Sequence, residues 1–230
     1  MTELKHKIPR YLKNKSNFTF WYSIINETKF LIDLSKVRNI VDFGSGDGSF
    51  LELFNFLHQD IICNCIGVEI QDELIRYSNY NNKLSNVKFI NYESFKEIED
   101  LSQDIIFSQE VVYTVENLDA HALEIYKKLN KGGYYIFTIG CHIDNPTWIK
   151  RKKRITKEEK YNAYDYSLNQ VASIFYKVGF RIGIKKIPIY YPLVFDFSQQ
   201  NEFETIEELI ESSQNHKYLF ILLKPKYDKE

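Results

Sequence analysis

The chain has 230 residues, of which 44% are hydrophobic and 27% charged, a composition that supports one large core and excludes a disordered chain. The formal net charge is -1, so the overall positive field typical of nucleic-acid-binding proteins is missing. Three cysteines are too few for a disulfide framework and favour a reducing, cytoplasmic compartment. Cys63 and Cys65 lie in an apolar strand pattern without neighbouring ligands, so we expect no metal site. No apolar run approaches the roughly 20 residues of a membrane helix, and the basic N-terminus lacks the apolar segment of a signal peptide.

Strands and helices alternate from residue 36 onward, which predicts an α/β fold with a mostly parallel sheet and helices on both faces. Periodicity predicts seven strands, at residues 37–43, 61–69, 87–90, 104–108, 134–139, 180–187 and 218–223. Helices are predicted at 49–57, from a cap at Asp72, from a cap at Asp119 to Gly132, from Ser167 to Gly179 and at 205–212. We therefore expect one domain over residues 36–230.

Residues 1–35 precede this domain and contain an amphipathic helical pattern, so we expect a helix that packs on the core or covers the site. Tyr11, Trp21 and Tyr22 suit either an aromatic lid or ordinary core packing. Two stretches, 141–165 and 190–215, contain long irregular segments, and long ordered loops in compact domains are often functional. We expect these two stretches to border the site.

The sharpest motif is VDFGSGDGSF at residues 41–50, which follows the first predicted strand and opens a helix. Glycines at such a turn let the backbone approach a ligand, and ligands of open α/β sheets bind at the carboxyl ends of strands. Gly44, Gly46 and Gly48 do not match the spacing G-x-G-x-x-G, because Ser49 takes the sixth position. The Asp42 carboxylate would repel a diphosphate but suits a ligand with an ammonium and a sulfonium. The motif thus disfavours a nicotinamide oxidoreductase.

A second acid, Glu69, ends the second predicted strand in the segment GVEI. A carboxylate at this position can accept hydrogen bonds from both ribose hydroxyls of a nucleoside. Nicotinamide enzymes share this feature, so Glu69 indicates a nucleoside without choosing the cofactor.

At this point the sequence resembles the class I methyltransferase family, which uses S-adenosylmethionine and releases S-adenosylhomocysteine. The resemblance covers roughly residues 36–140 and lies in the ordered segments VDFGSGDGSF, GVEI, NVKFINYES, DIIFSQEVVYTVENL and LNKGGYYIFTI. The later segment YSLNQVASIFYKVGFR is also similar to the family's penultimate helix and strand. The resemblance implies a Rossmann-like sheet of seven strands whose last strand is antiparallel.

The resemblance also implies which residues contact the methionine end of the cofactor. Gly44 and Gly46 line that end, with Ser45 between them in the same group of binding residues. Asp42 holds the ammonium group directly or through water. Gln109, just after the fourth predicted strand, supplies a carbonyl nearby.

At the adenosine end, the resemblance implies that Glu69 takes the ribose hydroxyls and that Ile70 lies beside the adenine. Glu93 corresponds to the acid that meets the adenine amino group, and Ser94 offers a backbone donor. The segment NYE at residues 91–93 departs from the Gly-Asp pair of many members, which places the adenine contact in doubt.

The methyl acceptor is expected over the ends of the fourth and fifth strands, where two side chains are candidate catalytic groups. His142 could take a proton from a hydroxyl or an ammonium, or could simply bond a loop carbonyl. Tyr113 could orient the acceptor or could be a packing residue. Asp144 is a third candidate nearby, with the same two interpretations.

Five basic residues follow at 150–154, in the stretch after the fifth predicted strand. They could bind a phosphate or another anion on the acceptor, or could form a solvated face balanced by Glu158 and Glu159. A nucleic-acid patch is the weakest of the three interpretations.

These features together predict a cytoplasmic methyltransferase that acts on oxygen or nitrogen of a small-molecule acceptor. A phosphate-bearing acceptor, such as a surface-polysaccharide precursor, follows only from the basic run. Two alternatives stay open: methylation of RNA or protein, and a protein that binds S-adenosylmethionine without catalysis.

Overall fold

In the computed structural model, residues 15–61, 63–159, 161–195 and 203–226 are described. They form one seven-stranded sheet in the order β3-β2-β1-β4-β5-β7-β6, in which β7 runs antiparallel to both of its neighbours. The strands are β1 Asn39–Phe43, β2 Asn64–Glu69, β3 Val87–Asn91, β4 Gln103–Gln109, β5 Leu129–Ile139, β6 Arg181–Lys186 and β7 Tyr218–Leu223. The predicted fold class, including the antiparallel last strand, is confirmed.

Helices cover both faces of this sheet. They are α1 Lys15–Leu31, α2 Ser49–Leu57, α3 Asp72–Asn81, α4 Tyr92–Lys96, α5 Leu118–Lys128, α6 Trp148–Arg154, α7 Leu168–Val178 and α8 Ile206–Ile210. Short 3-10 turns lie at Leu34–Lys36 and Val112–Thr114, and π-helical turns at Ile155–Glu159 and Glu211–Asn215. Within the described ranges, no helix is long and apolar enough to cross a membrane.

The sheet separates two hydrophobic clusters, each closed by helices. On one face, Ile24 of α1 and Phe50 and Phe54 of α2 are buried against strand residues. On the other face, Ile125 of α5 and Phe175 of α7 are buried in the same way. The central strands are apolar on both faces because helices cover them on both sides.

Several predicted helix ends need correction. The cap of α3 is Gln71, whose side chain makes no hydrogen bond to the helix start, whereas Asp72 is already helical. Asn117, not Asp119, caps α5 by accepting a hydrogen bond from the Ala120 amide. The helix stops at Lys128 rather than at the glycine pair, since β5 already begins at Leu129 and contains Gly132 in a left-handed conformation with φ 85°.

The last long helix follows its sequence signals. Ser167 and Gln170 form the reciprocal capping box at the start of α7. Gly179 ends this helix with φ 117°, a conformation that glycine adopts without the steric cost of a Cβ. The predicted N-terminal helix is also present, but α1 starts at Lys15, and Tyr11 lies outside the described residues. The division at residues 35 and 36 stays a prediction.

Candidate active site

The glycine motif forms a tight turn between β1 and α2. The amides of Gly44 and Ser45 both donate to the carbonyl of Val68, at 2.8 and 2.9 Å, which ties the turn to the end of β2. Gly44 and Gly46 both have positive φ angles, 83° and 53°, that favour glycine. The turn is therefore fixed beside the carboxyl end of the neighbouring strand.

Glu69, the last residue of β2, is bound to the same turn. Its Oε2 accepts a hydrogen bond from the Gly46 amide at 2.9 Å, and its Oε1 accepts from the amides of Ile70 and Gln71 at 2.8 and 3.1 Å. The side chain is buried. Because a carboxylate offers about four acceptor positions, Glu69 can accept a further hydrogen bond from a ligand.

Asp42 and Gln109 each have one buried side-chain oxygen without a hydrogen-bond donor among the described atoms. Asp42 is 1% exposed, and among the described atoms neither its Oδ1 nor the Oε1 of Gln109 has a hydrogen-bond partner. Burial raises the pKa of Asp42 to about 8, against a lowering by a hydrogen bond from Gln109 and with a further rise from the nearby Glu69. Orphaned buried oxygens are costly, so this pair indicates a cationic or hydrogen-bond-donating ligand.

Two cavities meet at this point. The larger cavity has a volume of about 490 Å³ and is bordered by Glu69, Ile70, Tyr92, Tyr113 and Tyr161, among others. The smaller cavity, of about 300 Å³, is bordered by Asp42, Thr138 and Lys217, with the α1 residues Phe20 and Trp21. Both cavities share four bordering residues, Gly44, Gly46, Gln109 and Glu110.

The chemistry of the two cavities fits a nucleoside attached to an amino acid. Glu69 offers acceptors for ribose hydroxyls at the larger cavity, and Asp42 offers a buried acceptor for an ammonium at the smaller one. A Cβ built on Gly46 would meet no protein atom within 4 Å, so the space beside this glycine is open to a ligand. S-adenosylmethionine has hydroxyls and an ammonium at the corresponding ends.

Gly44→Ala and Gly46→Ala are expected to fail in different ways. A Cβ on Gly44 would lie 2.3 Å from the Cγ2 of Val111, so this variant should lose about 2 kcal/mol or more of unfolding free energy. Gly46→Ala carries the left-handed strain of about 1 kcal/mol but no clash, and should mainly weaken S-adenosylhomocysteine binding, by at least tenfold. Urea unfolding and calorimetry measure the two effects. Unchanged affinity of Gly46→Ala would contradict this assignment.

The structure brings most predicted cofactor residues together, with two exceptions in α4. Glu93 is exposed, pairs with Lys96 at 2.8 Å and is not among the residues that border either cavity. The Ser94 amide already donates to the Asn91 side chain, which caps α4. Because consecutive helical residues point in different directions, it is Tyr92 that borders the larger cavity.

Of the two candidate catalytic groups, Tyr113 lies at a cavity and His142 does not. Tyr113 borders the larger cavity and packs edge-on against Trp148. His142 is fully buried outside both cavity linings, with its Nε2 2.9 Å from the His216 carbonyl oxygen. Burial lowers the pKa of His142, which keeps the ring neutral. Asp144 is exposed and accepts a hydrogen bond from the Leu168 amide. The structure therefore favours the loop-bonding interpretation of His142.

The basic run at 150–154 does not act as one anion-binding patch. Lys150 pairs with Glu204 and Glu208 at 2.8 and 3.1 Å, and Lys152 pairs with Asp165 at 2.6 Å. Arg151 alone of these three is buried. Since α6 is a helix, its consecutive bases point in different directions and only some can face inward.

Three residues that border the cavities, Glu110, Lys217 and Tyr161, were not predicted from the sequence. Glu110 follows β4 with φ 55°, an unusual angle for a residue with a side chain, and borders both cavities. Lys217 precedes β7 and borders the smaller cavity. Tyr161 reaches the larger cavity from the 141–165 stretch and bonds Gln71 through its hydroxyl. The position of Glu110 right after a strand end was the one available signal.

The 190–215 stretch, predicted to border the site, is described at residues 190–195 and 203–215. None of its described residues borders either cavity. Trp21 of α1 borders the smaller cavity, whereas Tyr22 packs against Tyr190 and Tyr191 instead.

Within the part of the chain that the structure describes, no group of three or more His, Cys, Asp or Glu side chains is arranged to hold a metal ion.

Comparisons with known proteins identify the family to which this chain belongs. Residues 34–213 match the profile of a family described as a methyltransferase domain. None of the curated protein sequences matches the chain. Among solved structures, a chain from the complex of the Haloferax volcanii Trm112 methyltransferase activator with a proposed methyltransferase superposes with TM-score 0.74 at 16% identity, covering 93% of this chain and 92% of that one.

Two further structures resemble this fold over about half of their own length. Haemonchus contortus phosphoethanolamine N-methyltransferase 2, with phosphomonomethylethanolamine and S-adenosylhomocysteine, gives TM-score 0.64 at 15% identity over 90% of this chain and 53% of its own. Human N-acetylserotonin methyltransferase with S-adenosylmethionine gives 0.62 at 14% identity over 94% and 54%. The family match over residues 34–213 shows that the chain belongs to the methyltransferase-domain family, and the fold agrees with it. The chain is therefore a class I S-adenosylmethionine-dependent methyltransferase.

Proposed function

We propose that this enzyme methylates oxygen or nitrogen of a small molecule that binds in the smaller cavity. The observation that carries this proposal is the limited size of that cavity and the residues that border it. Asn17, Phe20 and Trp21 of α1 border it together with Thr138 at the end of β5. A cavity of about 300 Å³ that also receives the methionine end of the cofactor suits an acceptor of metabolite size.

S-adenosylmethionine supplies a methyl carbon bonded to a positively charged sulfur, so the protein's main task is alignment. Asp42 would hold the ammonium, and the turn at Gly44–Gly46 would lie against the methionine chain. Glu69 would accept the ribose hydroxyls, with Ile70 beside the adenine. Gln109, which borders both cavities, would contact the methionine end and fix its direction.

Glu110 is the group best placed to orient the acceptor. Burial would raise its pKa, but Lys217 and Arg151 nearby and a hydrogen bond from the Gly140 amide outweigh burial and lower it. Glu110 is therefore ionised at neutral pH and accepts a hydrogen bond from an acceptor N–H or O–H. Its low pKa makes it a weak base, which favours acceptors that present a lone pair without first losing a proton.

The volume of this cavity, about 300 Å³, also weighs against RNA and protein acceptors, because a polymer needs a longer groove beside the reacting carbon. Location in the cytoplasm is likewise our proposal. It rests on the cysteines Cys63, Cys65 and Cys141, which are buried and form no disulfide within the described residues.

Methyl transfer from labelled S-adenosylmethionine to a cell extract tests this function. The extract is separated into small-molecule, RNA and protein fractions, and we expect the label in the first. Trp21→Ala, which enlarges the smaller cavity, should lower this transfer at least tenfold while Tyr191→Ala, outside the cavity, leaves it unchanged. Label confined to RNA or protein would overturn the small-molecule proposal, and label in no fraction would favour the non-catalytic alternative.

A further inference from the structure

The wall of the larger cavity contains a buried histidine, His121, from the first turn of α5. It borders the cavity and is 4% exposed. Its ring lies among aromatic side chains, 4.9 Å from the ring of Phe43 and 5.9 Å from that of Tyr135. Burial lowers the pKa of His121 to about 4, so the imidazole is neutral at physiological pH. A neutral imidazole has one nitrogen that donates a hydrogen bond and one that accepts.

Tyr135 decides which nitrogen of His121 carries the proton. Its hydroxyl oxygen lies 3.1 Å from Nε2 of His121, and the whole side chain is buried. Burial raises the pKa of Tyr135, against a lowering by a hydrogen bond from Ser108, so the hydroxyl keeps its proton. Because a buried hydroxyl proton without an acceptor is costly, Tyr135 donates to Nε2. The ring proton of His121 then lies on Nδ1.

The Nδ1 nitrogen of His121 opens into the larger cavity. It makes no hydrogen bond to any described residue, and it is not one of the fully enclosed unpaired atoms, which include the Nδ1 of His142. His121 thus offers an N–H donor to a ligand in this cavity.

Phe43 connects His121 to the proposed ribose position. Its backbone pairs with Val68, the neighbour of Glu69, while its ring contacts His121. A nucleoside with its ribose at Glu69 therefore extends its base along Phe43 towards His121. The sugar is bonded to the five-membered ring of adenine, so the edge with N1 and the amino group lies farthest from Glu69.

Other polar groups near this end of the cavity are already engaged. The Ser94 amide, which the family resemblance implies as a backbone donor, donates to the side chain of Asn91. The hydroxyl of Tyr92 donates to Glu124 at 2.5 Å. Asn117 is exposed and caps α5 with its side-chain oxygen. The base therefore has to find its donor elsewhere, and His121 supplies one.

We infer that His121 is a specificity-determining residue for the cofactor, whose Nδ1–H donates to N1 of the adenine while Tyr135 fixes the ring proton on that nitrogen. This inference rests on the cofactor placement in the proposed function, with the ribose at Glu69. Hypoxanthine, the deaminated base, carries a proton on N1 and would set two donors against each other. The site therefore selects adenine over hypoxanthine.

Calorimetry with analogues of S-adenosylhomocysteine tests this inference without turnover. A C–H group replaces N1 in the 1-deaza analogue and N3 in the 3-deaza analogue, which is the matched control ligand. The wild-type protein should bind the 1-deaza analogue about tenfold more weakly than S-adenosylhomocysteine, the effect of one hydrogen bond. It should bind S-inosylhomocysteine at least thirtyfold more weakly, because two buried donors would then be unpaired.

The double variant His121→Phe with Tyr135→Phe removes both partners of a buried hydrogen bond and keeps two aromatic rings, so we expect it to fold. It should bind S-adenosylhomocysteine and the 1-deaza analogue equally, whereas any loss with the 3-deaza analogue should match that of the wild type. Tyr135→Phe alone frees the ring proton to move to Nε2, so the penalty for S-inosylhomocysteine should fall at least fivefold. The control Asn117→Ser keeps a capping hydroxyl but loses the amide donor, and it should behave as the wild type.

Three outcomes would overturn the inference: no 1-deaza penalty in the wild type, a penalty that persists in the double variant, or a penalty that disappears in Asn117→Ser. If the double variant does not fold, nitrogen NMR of the wild-type histidines in the complex decides, and a ring proton on Nε2 of His121 would also overturn it. Failure of the wild-type protein to bind S-adenosylhomocysteine, or full affinity in Glu69→Ala, would instead refute the cofactor placement.

Discussion

Replacing Glu69 with alanine is expected to weaken binding of S-adenosylmethionine and S-adenosylhomocysteine by at least about a hundredfold. Hydrogen bonds to a charged group contribute about 1.5–3 kcal/mol each, so losing the ribose contact at the remaining acceptor position corresponds to up to roughly 3 kcal/mol. The same change removes the acceptor for the amides of Gly46, Ile70 and Gln71. The glycine turn would then lose one of its bonds to β2, at Gly46, so the loss should exceed that of the ribose contact alone. Calorimetry measures the affinity.

Glu93 provides a matched control for this experiment. It is also a glutamate, in α4 just after the parallel strand β3, but it is exposed and pairs with Lys96. Glu93→Ala should therefore bind both cofactor forms with wild-type affinity. A large loss in Glu93→Ala, or full affinity in Glu69→Ala, would mean that the adenosine lies elsewhere than in the larger cavity.

The sequence was enough to predict the site residues that lie at or next to the end of a single strand. Asp42, Gly44 and Glu69 lie within or next to strands that periodicity predicted, so their meeting follows from a parallel sheet with β1 beside β2. For Glu93 this logic failed, because Asn91 caps a short helix and thereby decides which side chain faces the cavity. Such a capping choice depends on one hydrogen bond, which no periodicity reveals.

Groups that come from distant segments could not be predicted in this way. Glu110 follows β4, Arg151 lies in α6 and Lys217 precedes β7. The side chains of all three come close to Gly140. Their meeting depends on the insertion of β7 beside β5 and on the path of the chain through α6. His142 shows the opposite error, since it follows β5 as expected, yet its ring bonds the His216 carbonyl instead of facing a cavity.

Asp42→Asn is expected to stabilise the protein in the absence of cofactor. Burial raises the pKa of Asp42 from 3.8 to about 8, so the folded state holds a proton that the unfolded state releases. The stability contributed by this group is complete below about pH 4 and is lost as the pH rises towards 8. The carboxamide carries no charge and escapes this penalty, which amounts to a few kcal/mol at pH 8. Urea unfolding at pH 5 and pH 8 should show a gain that grows with pH.

The same substitution should abolish the pH dependence of cofactor binding. Wild-type Asp42 is mostly protonated at pH 6 and must ionise to pair with the ammonium, so affinity should rise up to tenfold per pH unit between pH 6 and 8. Above pH 8 the ammonium itself, with an ordinary pKa of about 8, loses its charge and affinity falls. Asp42→Asn should bind more weakly, with a flat profile from pH 6 to 7.5. A wild-type profile that is equally flat would show that Asp42 stays neutral in the complex, and the ammonium would then need another partner. If Asp42→Asn unfolds at higher urea concentration but binds the cofactor more weakly, the Asp42 carboxylate serves ligand binding rather than the stability of the fold.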